Sequence, residues 1–237
     1  MQLTYSDDAL AELVKHPQDR GAVITELFDR LASFWQDDGL NEIRSTSGII
    51  TDSGSVLDDV LELGVAGVVL DLRNNPGGLV SSVVDVASQF LSQGLVLFQI
   101  NADGERTEWK VTGGGKAREV PLVVLVNEGS ASASEVFAGA IMDHGRATVI
   151  GTTTFGKGSV NNLWPLDDGS GINFTVARWF TPNGTLIEGK GITPDVVVEI
   201  SEDETEDVQS DQAIELLKEL IASGNRGAAA KTGNWIF

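Results

Sequence analysis

Two uninterrupted apolar runs constrain the fold of this chain most strongly. Residues 68–70 and 122–126 consist only of valine and leucine. Such runs are typical of strands that are covered on both faces, as in parallel sheets flanked by helices. Between them lies a stripe with helical spacing, formed by Val83, Val86, Ala87, Phe90 and Leu91. The order strand, helix, strand predicts an α/β core with at least partly parallel pairing.

Around this core, the 237 residues divide into three parts. Residues 1–54 carry amphipathic helical stripes, which predict a small helical N-terminal appendage with a linker or domain junction at 41–56. Residues 55–200 hold the α/β core. Residues 201–237 contain an acidic connector, a C-terminal helix and an apolar tail. Solvation explains the acidic connector more simply than metal binding does.

The later part of the core has an alternating pattern. Ile172, Phe174 and Val176 alternate with polar residues and follow a turn sequence at 167–170, which predicts an antiparallel hairpin. Residues 196–198 predict one more short strand. The sheet is therefore expected to be mixed.

The charge and hydropathy of the chain exclude several partners. Sixteen Lys and Arg face 35 Asp and Glu, and the net charge of −19 repels phosphate backbones. No apolar run reaches the roughly 20 residues that a membrane helix needs, and the first residues lack the features of a signal peptide. We expect no nucleic-acid partner and no membrane span.

The cysteine and histidine content limits the available chemistry. The chain has no cysteine, which excludes disulfides, thiolate catalysis and cysteine-bound metals. With only His16 and His144, a histidine-rich metal site is excluded as well. We expect no metal and no cofactor, so the chemistry must use hydroxyls, carboxylates, lysines or the backbone.

Three loops rich in glycine or serine follow predicted strands, where α/β folds place ligands. In 71–79, Gly77 and Gly78 indicate either a strand-to-helix turn or backbone amides that approach an oxyanion. In 127–135, each serine is either a helix N-cap or a nucleophile favoured by the free amides of a helix start. The third loop, 151–159, contains a lysine flanked by glycines.

The third loop resembles a phosphate-binding loop only in part. It satisfies GxxxxGK, but Gly158 stands where Ser or Thr should bind magnesium, and the residues that follow predict a strand instead of a helix. Lys157 is instead a candidate base for a serine, because His144 lies about 18 Å along the helix from Ser132. A lysine base requires burial that lowers its pKa, and Phe155, Trp164 and the neighbouring strands are the candidates to supply such a pocket.

Four ordered segments resemble the carboxyl-terminal processing proteases, also called tail-specific proteases. They are LDLRNNPGG at 70–78, VLVNEGSASASE at 124–135, GTTTFGKGSV at 151–160 and GITPD at 191–195. The resemblance spans roughly residues 60–200. It implies a serine endopeptidase with a crotonase-like (ClpP/crotonase-type) core that cuts polypeptides near apolar C-termini without a cofactor. It also implies an exported protein, periplasmic or extracellular.

The resemblance also assigns roles to individual residues. Ser132 matches the nucleophile and Lys157 the general base of a Ser-Lys dyad. Gly78 and Ala133 match the positions whose amides form the oxyanion hole. Asp143 matches a recurrent acid with an expected structural role.

The chain departs from the family pattern at two places. Asn161 stands where a glutamine usually helps to orient the lysine, and its side chain is one methylene shorter. The stretch 39–61 is too short for the PDZ domain that these proteases usually carry before the core. Both departures keep open an alternative function, a catalytically weak or inactive scaffold of the same fold that binds peptides or hydrophobic ligands.

Overall fold

The computed structural model describes residues 34–37, 40–44, 66–168, 170–201 and 207–224. Its strands are β1 (Phe34–Asp37), β2 (Leu40–Arg44), β3 (Gly67–Asp71), β4 (Leu95–Asn101), β5 (Arg106–Lys110), β6 (Leu122–Val126), β7 (Thr148–Gly151), β8 (Ser159–Pro165), β9 (Gly171–Phe180) and β10 (Val196–Val197). Its helices are α1 (Val80–Phe90), α2 (Ala133–Asp143) and α3 (Val208–Ala222).

The first sheet is largely parallel and has the strand order β1-β2-β3-β6-β7-β10. Only β1 and β2 pair in antiparallel fashion. Every residue of β3 and β6 is buried, as their apolar runs predict. Because these strands and β7 are parallel, their carboxyl ends meet at one edge of the sheet, where all three glycine- or serine-rich loops begin.

Helices cover both faces of this sheet. On one face, α1 and α2 pack together, and Phe90 meets Phe137 edge to face with ring centroids 5.8 Å apart. On the other face, Leu217 and Leu220 of α3 pack against Val69 and Val123. The predicted α/β layers and C-terminal helix are confirmed. Among the described residues, no helix has the length and apolar character of a membrane span.

The second sheet is antiparallel, with the order β5-β4-β9-β8. Its β8 and β9 form the predicted hairpin, in which Trp164 pairs with Ile172. Strand β4 pairs with the far end of β9 and joins the hairpin to the core.

The prediction of helix and linker before residue 54 is wrong where the structure describes the chain. Residues 34–37 and 40–44 are strands, and β2 pairs in parallel with β3. This long-range pairing overrides the local helical pattern, although Asp38-Gly39 between the strands is a hairpin signal in the sequence. The predictions for 1–33, the acids at 202–206 and the tail at 225–237 lie outside the described residues.

Candidate active site

Ser132 begins α2 in an unusual backbone conformation. It has φ 58° and ψ −117°, and a positive φ is uncommon for any residue except glycine. Strained backbone of this kind clusters at functional sites, including the turns that present nucleophilic serines. Ser132 keeps 8% of its surface exposed, whereas Ser130 and Ser134 are fully buried.

The two neighbouring serines hold the loop after β3. The Ser130 hydroxyl donates to the carbonyl of Leu72 at 2.7 Å, and the Ser134 hydroxyl donates to the carbonyl of Asn75 at 3.0 Å. Both hydroxyls are therefore engaged in structural bonds. Of the three serines in the motif, Ser132 is the most exposed.

Gly77 lets the loop after β3 lie directly against the loop of Ser132. Its φ is 90°, and a Cβ built on it would stand 2.5 Å from both the Ala131 oxygen and the Ala133 nitrogen. The side-chain Oδ1 of Asn75 fixes this turn by accepting a hydrogen bond from the Gly77 amide at 2.9 Å. The backbone carbonyl of Asn75 accepts a hydrogen bond from the Ala131 amide, also at 2.9 Å. A larger residue than glycine would separate the two loops.

Two backbone amides on the loops around Ser132 have no hydrogen-bond partner among the described residues. Gly78 is exposed at the end of the glycine turn, and Ala133 is the first residue of α2, where helix amides lack internal partners. Among the described residues, neither amide donates a hydrogen bond. These are the amides that the resemblance assigned to an oxyanion hole.

Glu135 links the loop of Ser132 to the loop of Lys157, and the sequence analysis did not single it out. Its carboxylate is fully buried and accepts four hydrogen bonds. Oε1 accepts from the Thr154 hydroxyl and the Gly156 amide, both at 2.6 Å. Oε2 accepts from the amides of Ser132 at 2.8 Å and Lys157 at 2.7 Å. The Ser-x-x-Glu capping box at the start of α2 was the available signal.

The backbone of Lys157 is held on both sides. The Gly158 amide donates to Glu188 Oε2 at 2.8 Å, and the Phe155 amide donates to the Ser130 carbonyl at 3.0 Å. Glu135 and Glu188 together capture the amides of residues 156–158. The loop that carries Lys157 is thus fixed against the nucleophile loop.

Among the residues that the structure describes, Phe155 and Trp164 do not enclose Lys157 in an apolar pocket. Phe155 is 69% exposed and Trp164 is 61% exposed, and Lys157 itself is exposed. Trp164 lies on β8 at the edge of its sheet, and Phe155 lies in the loop before β8, so the core encloses neither side chain.

Asn161 lies on β8 and faces its hairpin partner. Its Oδ1 accepts the Thr175 hydroxyl at 2.9 Å across the two strands. The amide that was expected to orient Lys157 therefore has a partner of its own in this structure.

Asp143 lies at the opposite end of α2 from Ser132. Its Oδ2 accepts the Asn183 amide at 2.7 Å, which joins the helix end to the turn after β9. The neighbouring His144 bonds through Nε2 to the Leu95 carbonyl at 2.7 Å. Eleven helical residues span about 16 Å, so neither side chain reaches Ser132.

Arg73 joins the loop after β3 to the start of α3. Its guanidinium lies 2.7 Å from Asp71 and makes two bonds to Asp207, at 2.7 and 2.8 Å. Burial opposes the charge, but hydrogen bonds and Coulombic attraction from both acids outweigh it and raise the pKa of Arg73 above its usual value. The ion pairs of Arg73 with Asp71 and Asp207 anchor the end of β3, where the loop with the glycine turn begins.

Within the described part of the chain, a serine with positive φ, a lysine on an anchored loop and two amides without a hydrogen-bond partner lie on neighbouring loops. The chain belongs to peptidase family S41, whose model matches residues 39–198. The family relationship predicted from the four motifs is confirmed.

Individual relatives agree with this assignment. The chain is 42% identical to a carboxyl-terminal-processing protease of Synechocystis over 179 residues, which cover 73% of this chain and 42% of the relative. It is 48% identical over 134 residues to a carboxy-terminal-processing protease of Bartonella bacilliformis, covering 56% of this chain and 31% of the relative.

The solved structure of a photosystem II D1 C-terminal processing protease matches with a TM-score of 0.64 at 37% identity, over 73% of this chain and 46% of that one. The likeness supports the mixed α/β fold, with its parallel and antiparallel sheets. The chain spans less than half the length of each of these three relatives.

Proposed function

We propose that this chain is the core of a serine endopeptidase that cleaves polypeptides near apolar C-termini through Ser132 and Lys157, on a crotonase-like fold. The observation that carries the proposal is the shared acceptor of the two residues, Glu135 Oε2. Because both amides bond to one oxygen, their nitrogens lie within about 5.5 Å of each other. Ala133 follows Ser132 in the sequence, and Gly78 follows Gly77, whose turn lies against the Ser132 loop.

In the proposed reaction, the neutral Lys157 amine takes the proton of the Ser132 hydroxyl as its oxygen attacks the scissile carbonyl carbon. The amides of Gly78 and Ala133 stabilise the resulting oxyanion. Lys157 then gives its proton to the departing amine as the C–N bond breaks. It next takes a proton from water, which attacks the ester, and the proton returns to Ser132 as the second product leaves.

Because Lys157 is exposed, we expect the bound substrate to remove water from around its amine. A lysine base must lose its charge, and removal of water from around the amine favours the neutral form. Leu79 follows Gly78 and Phe155 precedes Lys157 by two residues, and both side chains are largely exposed. An apolar substrate segment between them would cover the amine and bury these side chains, which supports a preference for apolar sequences.

Two further residues have proposed roles outside the reacting atoms. Asn161 is a candidate for orienting Lys157 once substrate is bound, which requires its amide to leave Thr175. Asp143 is proposed to be structural, since it holds the Asn183 turn.

A binding scaffold without catalysis is the second candidate, and the exposure of Lys157 favours it. The two functions differ in what happens to a bound polypeptide. A scaffold would bind an apolar polypeptide and leave its mass unchanged.

The test is mass-spectrometric detection of products from an unfolded polypeptide that ends in small apolar residues. We expect cleavage by the unaltered chain and none by Ser132→Ala or Lys157→Ala. Lys110→Ala is the matched control, because Lys110 is an exposed lysine on β5, away from the site loops. Binding without cleavage by the unaltered, folded chain would support the scaffold instead.

A further inference from the structure

The hairpin of β8 and β9 has an apolar face that the described residues leave uncovered. Residues directly paired across antiparallel strands lie on the same face. Trp164 pairs with Ile172 and Asn162 pairs with Phe174, so this face holds three apolar side chains and the polar Asn162. Ile172 is 52% exposed and Phe174 is 42% exposed, beside the exposed Trp164. Alternation of apolar and polar residues is the pattern of a half-buried strand, so this face is built to be covered.

The outer edge of β8 is also open. Within the described residues, β8 pairs with β9 alone and ends the sheet. Its outward backbone N–H and C=O groups therefore lack a strand partner. Such an edge accepts an extended polypeptide as an added strand, whose main chain supplies hydrogen bonds while alternate side chains enter apolar contacts.

This edge leads directly to the candidate active site. Strand β8 begins at Ser159, two residues after Lys157. Gly158 anchors the base of the hairpin. Its amide donates a hydrogen bond to Glu188, and the Gly158 carbonyl accepts one from the Trp179 amide at 2.7 Å. A polypeptide that lies along β8 is therefore guided toward Lys157 by a fixed element.

We propose that the β8–β9 hairpin is the docking strand for the extended substrate polypeptide of this enzyme. The polypeptide adds to the free edge of β8, and its apolar side chains contact the face formed by Trp164, Ile172 and Phe174. The inference rests on the proposed function, which supplies the occupant: an unfolded polypeptide chain that must approach Lys157. Beyond the proposed function, it specifies the direction from which the polypeptide approaches Lys157 and a binding surface remote from the cleaved bond.

The geometry sets a length requirement. Trp164 lies seven positions after Lys157, and an extended chain rises about 3.3 Å per residue, so the two residues are at most about 23 Å apart. A substrate therefore needs about seven residues on one side of the scissile bond to reach Trp164. A peptide of four residues with the same scissile sequence reaches the dyad but not this face.

The experiment compares a four-residue peptide with a polypeptide of about twenty residues that contains the same scissile sequence. The variants are Trp164→Ser and Phe174→Ser, and the matched controls are Val197→Ser and Ile200→Ser, which alter apolar side chains about half exposed near β10. We expect kcat/KM for the long substrate to fall about tenfold in the hairpin variants, and kcat/KM for the short peptide to stay unchanged. The controls should change neither value.

An unchanged kcat/KM for the long substrate, or an equal loss for both substrates, would overturn the docking proposal. Unaltered thermal unfolding of the variants checks that exposed side chains were replaced without loss of the fold. A dimer that the hairpin variants convert to a monomer would assign the face to a second copy and would also overturn the proposal.

Failure of the proposed function is measured separately. If the unaltered chain cleaves neither substrate, the fluorescence anisotropy of the labelled long polypeptide still reports binding to Ser132→Ala. Loss of this binding on adding Trp164→Ser or Phe174→Ser would support the docking surface without catalysis. Binding that these substitutions leave unchanged would overturn it.

Discussion

Ser132 and Lys157 donate their backbone amides to the same oxygen, Glu135 Oε2, at 2.8 and 2.7 Å. The separation of the two proposed catalytic residues is therefore set by a carboxylate that takes no part in the proposed proton transfers. Because Glu135 is fully buried and its other oxygen accepts two further bonds, it cannot move without releasing the loop of Lys157. Glu135 is a positioning residue in this account.

We expect Glu135→Gln to lower kcat about a hundredfold or more, with a smaller effect on KM. The amide places an NH2 group against two of the four donors, so one loop must shift. The unsatisfied donors should also lower the free energy of unfolding by about 1–3 kcal/mol. Steady-state kinetics and urea unfolding measure the two effects. Glu128→Gln, an exposed acid on the nucleophile loop, is the control; unaltered kcat in Glu135→Gln would refute the role of Glu135.

We expect Gly77→Ala to reduce kcat at least a hundredfold. The new Cβ would meet the Ala131 oxygen and the Ala133 nitrogen at 2.5 Å, which pushes the oxyanion amides away from Ser132. Gly104→Ala is the matched control, because Gly104 has a similar φ of 81° and open space around it. It should cost about 1–2 kcal/mol of stability and leave kcat intact. Equal kinetic effects of the two substitutions would argue against this geometry.

The three serines of the motif should separate into structural and catalytic residues. Ser130→Ala and Ser134→Ala each remove a buried hydrogen bond, so they should lower the free energy of unfolding by about 1–3 kcal/mol while cleavage remains measurable. Ser132→Ala should abolish cleavage and leave the fold intact. Cleavage assays beside urea unfolding distinguish the two classes. Persistent cleavage by Ser132→Ala, with loss in Ser130→Ala, would contradict the assignment.

The bond between Arg73 and Asp207 should stabilise the loop of the glycine turn. Asp207→Asn keeps an oxygen that can cap α3 but removes the charge facing Arg73. We expect the free energy of unfolding to fall by about 1–2 kcal/mol and kcat to fall several-fold. Asp211→Asn, in the same first turn of α3, is the control. A double-mutant cycle with Arg73→Met should give a coupling of about 1 kcal/mol, and additive losses would show that the pair does not interact.

Local pattern and family motifs predicted the parts of the fold that depend on neighbours in sequence. The buried runs of β3 and β6, the stripe of α1 and the hairpin all follow from side-chain period. The strands at 34–37 and 40–44 escaped prediction because their pairing with β3 is a long-range contact.

The resemblance to the protease family assigned Ser132 and Lys157 as candidate catalytic residues, and their roles remain predictions. Glu135 was overlooked because its capping-box position gives it an ordinary local role. The sequence also could not show that the apolar face of β9 stays exposed. Alternation predicts that one face of a strand is covered, but it does not identify the element that covers it.

The most direct measurement is covalent labelling with a fluorophosphonate probe, followed by peptide mapping in a mass spectrometer. The account predicts one adduct, on Ser132, in the unaltered chain and in Lys110→Ala. It predicts no adduct in Ser132→Ala and strongly slowed labelling in Lys157→Ala, because the hydroxyl has lost its base. An adduct on Ser130 or Ser134, or equal labelling rates with and without Lys157, would contradict the account.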